Sequence, residues 1–171
     1  SAMIATQELP KELIQSILPK LRCYMGTERV VSYYRASPDG KRILFGGRAS
    51  GRGDQPEKYA KFLRGLLVGH FPQLSEVKID YAWSGMVAYT FDHIPHIGQI
   101  DGLYYAMGYC GSGIGRSNYF GVKVAQKLLG HADGQTAFDQ FPFKTRPLYT
   151  GTPWFLPTIL RWHSFADRMG W

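Results

Sequence analysis

Residues 103–130, LYYAMGYCGSGIGRSNYFGVKVAQKLLG, limit the possible folds of this chain more than any other stretch. The run Leu103-Tyr104-Tyr105-Ala106-Met107 is apolar and has the length of a buried strand. Glycines follow at 108, 111, 113 and 115, and an amphipathic segment then runs to Gly130. Strand, glycine-rich turn and helix in that order leave free backbone N–H groups at a helix start. Such an end attracts negative charge, through its unpaired donors and its partial positive charge. A glycine turn of this kind also serves as a plain tight connection, and both readings stand on these residues alone.

The chain of 171 residues suits one ordinary domain or slightly more. Its 44% hydrophobic and 19% charged content belongs to a folded chain, which excludes a disordered one. A net charge of +7 raises nucleic acid as a partner, but the basic residues are scattered and form no dense cluster. Cys23 and Cys110 make neither a disulfide framework nor a zinc-ligand spacing, so a reducing, cytoplasmic setting is expected. No apolar run approaches the length of a membrane span, and no membrane partner is expected. Ser1-Ala2-Met3 reads as a cloning scar and is set aside, with native sequence resuming at Ile4 as if a strand were entered in mid-course.

From there, Leu9, Leu13, Ile14, Ile17 and Leu18 share one face of a short helix opened by Pro10 and closed by Pro19. Arg29–Arg35 and Arg42–Phe45 read as strands, joined at Ser37-Pro38-Asp39-Gly40 by a β-turn. A polar loop follows, containing Gly51-Arg52-Gly53-Asp54 and read as solvated. Pro56 opens a helix that turns Tyr59, Phe62, Leu63, Leu66, Leu67 and His70 to one side. Val77–Thr90 reads as a long strand bent near Gly85. Ile97–Ile100 is a short strand, Asp101-Gly102 a hairpin turn, and Leu103 starts the next strand. The helix from Ile114 is expected to bury Ile114, Ala125, Leu128 and Leu129, and a terminal helix at Pro157–Met169 to bury Leu160 and Phe165. The fold class is therefore α+β, a mostly antiparallel sheet with helices on one side.

Several motifs then line up in order. They are Trp83-Ser84-Gly85, Tyr89-Thr90-x-Asp92-x-x-Pro95-x-Ile97-Gly98, and Tyr105-Ala106-x-Gly108-Tyr109-x-Gly111-x-Gly113. Upstream stand Ala5-Thr6-x-x-Leu9-Pro10 and Pro38-Asp39-Gly40-x-x-Ile43-x-Phe45-Gly46-Gly47-Arg48. Together they resemble the C-terminal half of the FAD-dependent D-amino-acid oxidase, glycine oxidase and sarcosine oxidase superfamily, its γ-glutamylputrescine-oxidase-like branch most. That family holds the ADP part of FAD on an N-terminal βαβ unit carrying GxGxxG. No such unit occurs in this sequence, and Gly111-Ser112-Gly113-Ile114-Gly115-Arg116 fails the pattern at Arg116. The resemblance thus implies a fragment: residues 4–96 a portion of the substrate-binding domain, 97–130 the last strand, glycine turn and helix of the FAD domain, and 131–171 a tail.

By the same resemblance, Gly111, Ser112, Gly113 and Ile114 lie at the N1–C2=O edge of a non-covalent flavin, and Gly85 and Met86 pass along its ring. Arg48 and Tyr89, backed by Tyr34 and His93, are the candidate substrate contacts. Surface arginine, packed tyrosines and a turn histidine are the plain readings of the same residues. The carboxylate-binding Arg of glycine-oxidase-like members and the flavin-linking Cys of sarcosine-oxidase-like members fall near Val87, and a second family anchor, a Lys, falls at Gly115. A small amine without a neighbouring carboxylate is therefore as well accommodated as an amino acid. The reaction implied is hydride transfer from an amine C–H to FAD.

No metal is expected, because His93 and His96 have no third ligand nearby, and Cys110 reads as a small buried side chain. The isolated chain is expected to be inactive, to lack the pyrophosphate-binding half of the cofactor site, and to expose apolar surface that favours self-association. The alternative is a non-catalytic basic module for nucleic acid or a protein partner.

Overall fold

The computed structural model describes residues 1–48 and 56–170, and the Gly51–Asp54 loop lies outside the described residues. Five strands form one antiparallel sheet: β1 (Ala2–Thr6), β2 (Tyr24–Met25), β3 (Ser32–Ala36), β4 (Ile43–Gly47) and β5 (Ile79–Ser84), in the order β2-β3-β4-β1-β5. Side chains alternate across it with period two. Ile4, Ile43 and Phe45 point to one face and are fully buried. They meet Ile14 of α1 (Lys11–Ile17) and Tyr59, Leu63 and Leu67 of α2 (Pro56–His70), so the helices named so far cover a single face of the sheet.

The expected β3–β4 hairpin forms, with Tyr34 opposite Phe45 and the Gly40 N–H donating to the Ser37 carbonyl at 2.9 Å. Thr6 is fully buried where the β1–β5 register shifts, and its hydroxyl accepts the Ile43 N–H at 3.0 Å. An irregular strand position that would leave a backbone donor unpaired is thereby satisfied.

Some expectations change on the sheet. Ala2 and Met3, set aside in the sequence reading, pair with Gly47 and Gly46 on one side and Ser84 and Trp83 on the other. They are part of the central strand. The long strand expected over Val77–Thr90 stops at Ser84, and Phe62 lies outside the buried side of α2. Helix α4 (Leu156–Met169) belongs to this first unit, which comprises Ser1–Gly85 and Pro153–Trp171. It buries Leu160 and Ala166, while Phe165, expected inward, is exposed. Asp167 anchors it by accepting the Arg29 and Val30 N–H groups at 3.1 and 3.0 Å.

The second unit comprises Met86–Thr152. Strands β6 (His96–Ile100) and β7 (Leu103–Met107) form a hairpin whose two-residue turn, Asp101-Gly102, has φ of 49° and 80°. That is the type I′ geometry suited to strand twist. Helix α3 (Gly113–Leu128) follows, then single 3-10 turns at Ala132–Gly134 and Ala137–Gln140.

On α3 the expected inward face is reversed. Phe120 is the residue it buries, stacked on Tyr109 at 5.9 Å and edge-on to Phe138 at 5.1 Å. Ile114, at 90% exposed, and Leu129, at 73%, lie on the open side with Val122, Ala125 and Leu128. The packed side is completed by half-buried Arg116, Lys123, Val124 and Lys127. Arg116 Nη1 donates to the Tyr109 carbonyl at 2.9 Å, Lys123 Nζ to the Asp133 carbonyl at 2.6 Å and Lys127 Nζ to Asp139 Oδ2 at 2.7 Å.

Candidate functional site

The glycine turn between β7 and α3 is built from backbone before any side chain enters. Gly108 and Gly111 take φ of 75° and 92°, with Cys110 between them at 51°. The Cys110 N–H donates to the Ala88 carbonyl at 3.1 Å, and the Ser112 N–H to the Tyr109 carbonyl at 3.0 Å. The same Tyr109 carbonyl accepts Arg116 Nη1 at 2.9 Å. These bonds aim the start of α3. The first intrahelical bond runs from the Arg116 N–H to the Ser112 carbonyl at 3.2 Å, and the Ser112 side chain makes no capping bond. The N–H groups of Gly113, Ile114 and Gly115 precede that bond and have no partner within the helix.

They border an open pocket of about 610 Å³, walled on the apolar side by Tyr119, Phe120 and Phe138. One end is therefore donor-rich and lacks a Cβ at Gly113 and Gly115, and the other is aromatic. Such a pairing of surfaces favours a flat molecule with one polar, electron-rich edge.

Of the residues singled out from sequence, Gly111, Ser112, Gly113 and Ile114 all line this pocket. Tyr89 and His93 come beside it: their rings meet at 5.6 Å, edge to face, and the Tyr89 hydroxyl lies 3.4 Å from where a Gly111 Cβ would sit. Met86 is fully exposed at the start of the second unit. Gly85 closes the first, exchanging two backbone bonds with Ser1 at 2.9 and 3.0 Å. Arg48 follows β4 on the sheet's uncovered side; burial first, and then its charge, hold the Ser1 amine below its ordinary pKa.

Tyr34 is placed differently from what a substrate contact needs. It points to the helix-covered face, stacked between Tyr24 and Phe45 at 5.4 and 5.9 Å. Its neighbour Tyr33 is the residue on the uncovered face, lying over Gly46, where any Cβ would meet the Tyr33 ring at 2.2 Å. Trp83 shares that face in register with Met3. The period-two pattern of Ser32–Ala36 carried this information, since a shift of one residue changes the face.

Behind the turn lies a polar cluster that sequence reasoning passed over. His96 is 1% exposed, its Nδ1 facing the Phe141 carbonyl at 3.1 Å and its Nε2 facing Asp92 Oδ1 at 3.4 Å. Phe143 stacks on its ring at 4.3 Å. Burial acts to raise the Asp92 pKa. Hydrogen bonds from the Ile94 N–H, Thr90 and His96 outweigh it and bring the carboxyl from 3.8 to about 2. Asp92 and His96 lie in a turn and a strand, where a spacing of four carries no contact signal. Cys110, read as a small buried side chain, is half-buried and hydrogen-bonded, its Sγ donating to the Gly108 carbonyl at 3.1 Å and lying 3.6 Å from Thr90 Oγ1. Among the described residues no group of three or more His, Cys, Asp or Glu could hold a metal.

This cluster sets an acid response. A carboxylate whose folded pKa lies below its unfolded value of about 4 stabilises the fold fully above that value. The contribution is lost as pH falls toward 2. Wild-type chain is expected to lose stability between pH 5 and 2 more steeply than Asp92→Asn, measured by urea unfolding at each pH. Equal slopes would remove the assignment.

A family model described as DAO, FAD dependent oxidoreductase, matches residues 1–127, and the chain belongs to that family. It is 33% identical over 172 residues to gamma-glutamylputrescine oxidoreductase of Escherichia coli K12, covering 98% of this chain and 40% of that protein. It is 33% identical over 140 residues to a probable oxidoreductase OrdL of Haemophilus influenzae, covering 81% of this chain and 31% of the relative. The solved L-proline dehydrogenase of P. horikoshii superposes with a TM-score of 0.60 at 22% identity, over 80% of this chain and 36% of that one, which is a likeness of fold. The chain spans about two fifths of the length of the first of these relatives. Among the described residues no helix is long and apolar enough to cross a membrane.

Proposed function

We propose that this chain is the C-terminal part of a longer flavoprotein that oxidises an amine or amino acid by passing a hydride to FAD. The observation that carries the reading is the start of α3, where three N–H groups without a partner in the helix border a pocket with an aromatic wall. Bound there, FAD supplies the two-electron chemistry. The residues of this chain do the rest. Gly111–Ile114 present donors and a helix end to the polar edge of the ring, favouring the negative charge that it gains on reduction. Tyr89 and His93 border the same turn, and Arg48 with Tyr33 and Trp83 furnishes the uncovered sheet face. Tyr34 supports that sheet from behind. The lack of an Arg at Val87 and of a Lys at Gly115 leaves the substrate open between a plain amine and an α-amino acid.

The apolar side of α3 supports the second half of the reading. Ile114, Val122, Ala125, Leu128 and Leu129 lie at helical spacing opposite buried Phe120, and nothing among the described residues covers them. An upstream FAD-binding half, non-covalently holding the cofactor's pyrophosphate, is the partner that this side fits, and without it the chain meets its own copies. The isolated chain is expected to purify without flavin, to show no amine oxidation, and to scatter light as more than a monomer. Restoring the upstream sequence is expected to give a yellow protein with one flavin per chain. Stoichiometric flavin on the isolated chain, or a colourless longer protein, would overturn the proposal.

A further inference from the structure

Helix α4 has two unlike sides. Toward its own unit it turns Leu160, Ala166 and the hydrogen-bonded carboxylate of Asp167, the one acidic side chain of the helix. Away from the unit, Trp162, Phe165 and Met169 follow one another at spacings of three and four and are exposed, Trp162 at 59%, while Ile159, seven residues before Ala166, edges the packed side. Residues so spaced form one stripe along a helix. Arg161 and Arg168, both exposed, precede Trp162 and Met169 by one position and so run along one border of the stripe.

We propose that this side of α4 rests on an anionic lipid surface, with the helix lying in the plane of the interface. An aromatic and aliphatic stripe enters the headgroup–acyl boundary, while bordering arginines stay at headgroup level and meet the negative lipids. With 14 residues α4 is too short to span a bilayer, which suits a helix that lies on it. A missing span had argued against a membrane partner, but that reasoning reaches only helices that cross. A second copy of the chain is less well matched. It would bring the same two arginines against each other, with Asp167 turned inward and no acid on the face to receive them. Lipid phosphates supply the complementary charge. The proposal stands apart from flavin loading.

The test is flotation of the 171-residue chain with vesicles of equimolar phosphatidylglycerol and phosphatidylcholine, against phosphatidylcholine alone. The chain is expected to float with the anionic vesicles. The Arg161→Ala, Arg168→Ala pair should lower partitioning on the order of thirtyfold, from about 1 kcal/mol per basic residue at such a surface. The Trp162→Ser, Phe165→Ser pair should lower it about a hundredfold, from the loss of two apolar insertions. All four side chains are exposed, so unchanged circular dichroism verifies the fold. Failure of the wild-type chain to float overturns the proposal. So does binding abolished by Leu128→Ser with Leu129→Ser but untouched by the α4 changes, which assigns it to α3. A dimer dissolved by the α4 changes also overturns it, giving the face to a second copy.

Discussion

Replacing Phe120 by alanine is expected to destabilise the second unit by about 3–5 kcal/mol, the cost of emptying a buried aromatic site. Phe120 is 2% exposed and stands at the centre of an aromatic group: Tyr109 stacked on it, with Tyr119 and Phe138 edge-on at 5.2 and 5.1 Å. Edge-to-face and offset pairs contribute beyond their buried area, so the loss exceeds that of an aliphatic residue of like size. Tyr109 belongs to the glycine turn, and its carbonyl holds both Ser112 N–H and Arg116. A cavity at Phe120 therefore loosens the start of α3 as well as its middle. Hydrogen exchange of the amides in residues 113–128 reads the opening free energy of this unit. Leu129→Ala serves as the comparison, since Leu129 is 73% exposed. A Phe120→Ala effect below about 0.5 kcal/mol, the range of ordinary surface changes, would show that the helix is held elsewhere.

Phe120 also marks where the sequence could and could not be read. Both hairpins were legible because Ser37–Gly40 and Asp101-Gly102 carry their own turn chemistry. The packed side of α2 was legible at Tyr59, Leu63 and Leu67 because its apolar side meets this chain's own sheet. On α3 the rule inverts. The apolar stripe of Ile114, Val122, Ala125, Leu128 and Leu129 faces open space, and Phe120 is buried against Tyr109 and Phe138 with Arg116, Lys123 and Val124 beside it on the helix. Hydrophobic periodicity locates a face that some neighbour covers, whether or not that neighbour is in the chain. The same holds for Phe165 on α4, exposed where Ala166 is buried. Tyr34 was misplaced for a smaller reason: in Tyr33-Tyr34 the residue types are identical, and only strand register separates core from open face. β2 was missed because two residues carry no usable pattern. At the site, the glycine turn was visible from its spacing, while the Asp92–His96 pair depends on Phe141 and Phe143, 45 and 47 residues beyond His96, which no local pattern brings to it.

Gly108→Ala is expected to be nearly as costly as the loss of Phe120, and for two separable reasons. The residue is buried at φ 75°, a conformation that costs a side chain about 1–2 kcal/mol. A Cβ there would also lie 2.5 Å from Thr90 Cγ2, and relieving such a clash in packed surroundings costs about 1–3 kcal/mol. Thr90 cannot simply turn away. It is β-branched, and its hydroxyl donates to the Ile94 carbonyl at 2.9 Å. Thr90→Ser removes the offending methyl and keeps the hydroxyl, so the two costs can be parted in a double-mutant cycle. In the Thr90→Ser background, Gly108→Ala should cost only the backbone share, about 1–2 kcal/mol. Urea unfolding of the four proteins measures this. A full cost unchanged by Thr90→Ser would mean that the clash is relieved by backbone movement. The turn would then be softer than its hydrogen bonds indicate, and the start of α3 less firmly aimed. Coupling of the expected size would tie the aim of the helix end to the Thr90–Ile94 turn, and so to the Asp92–His96 pair behind it.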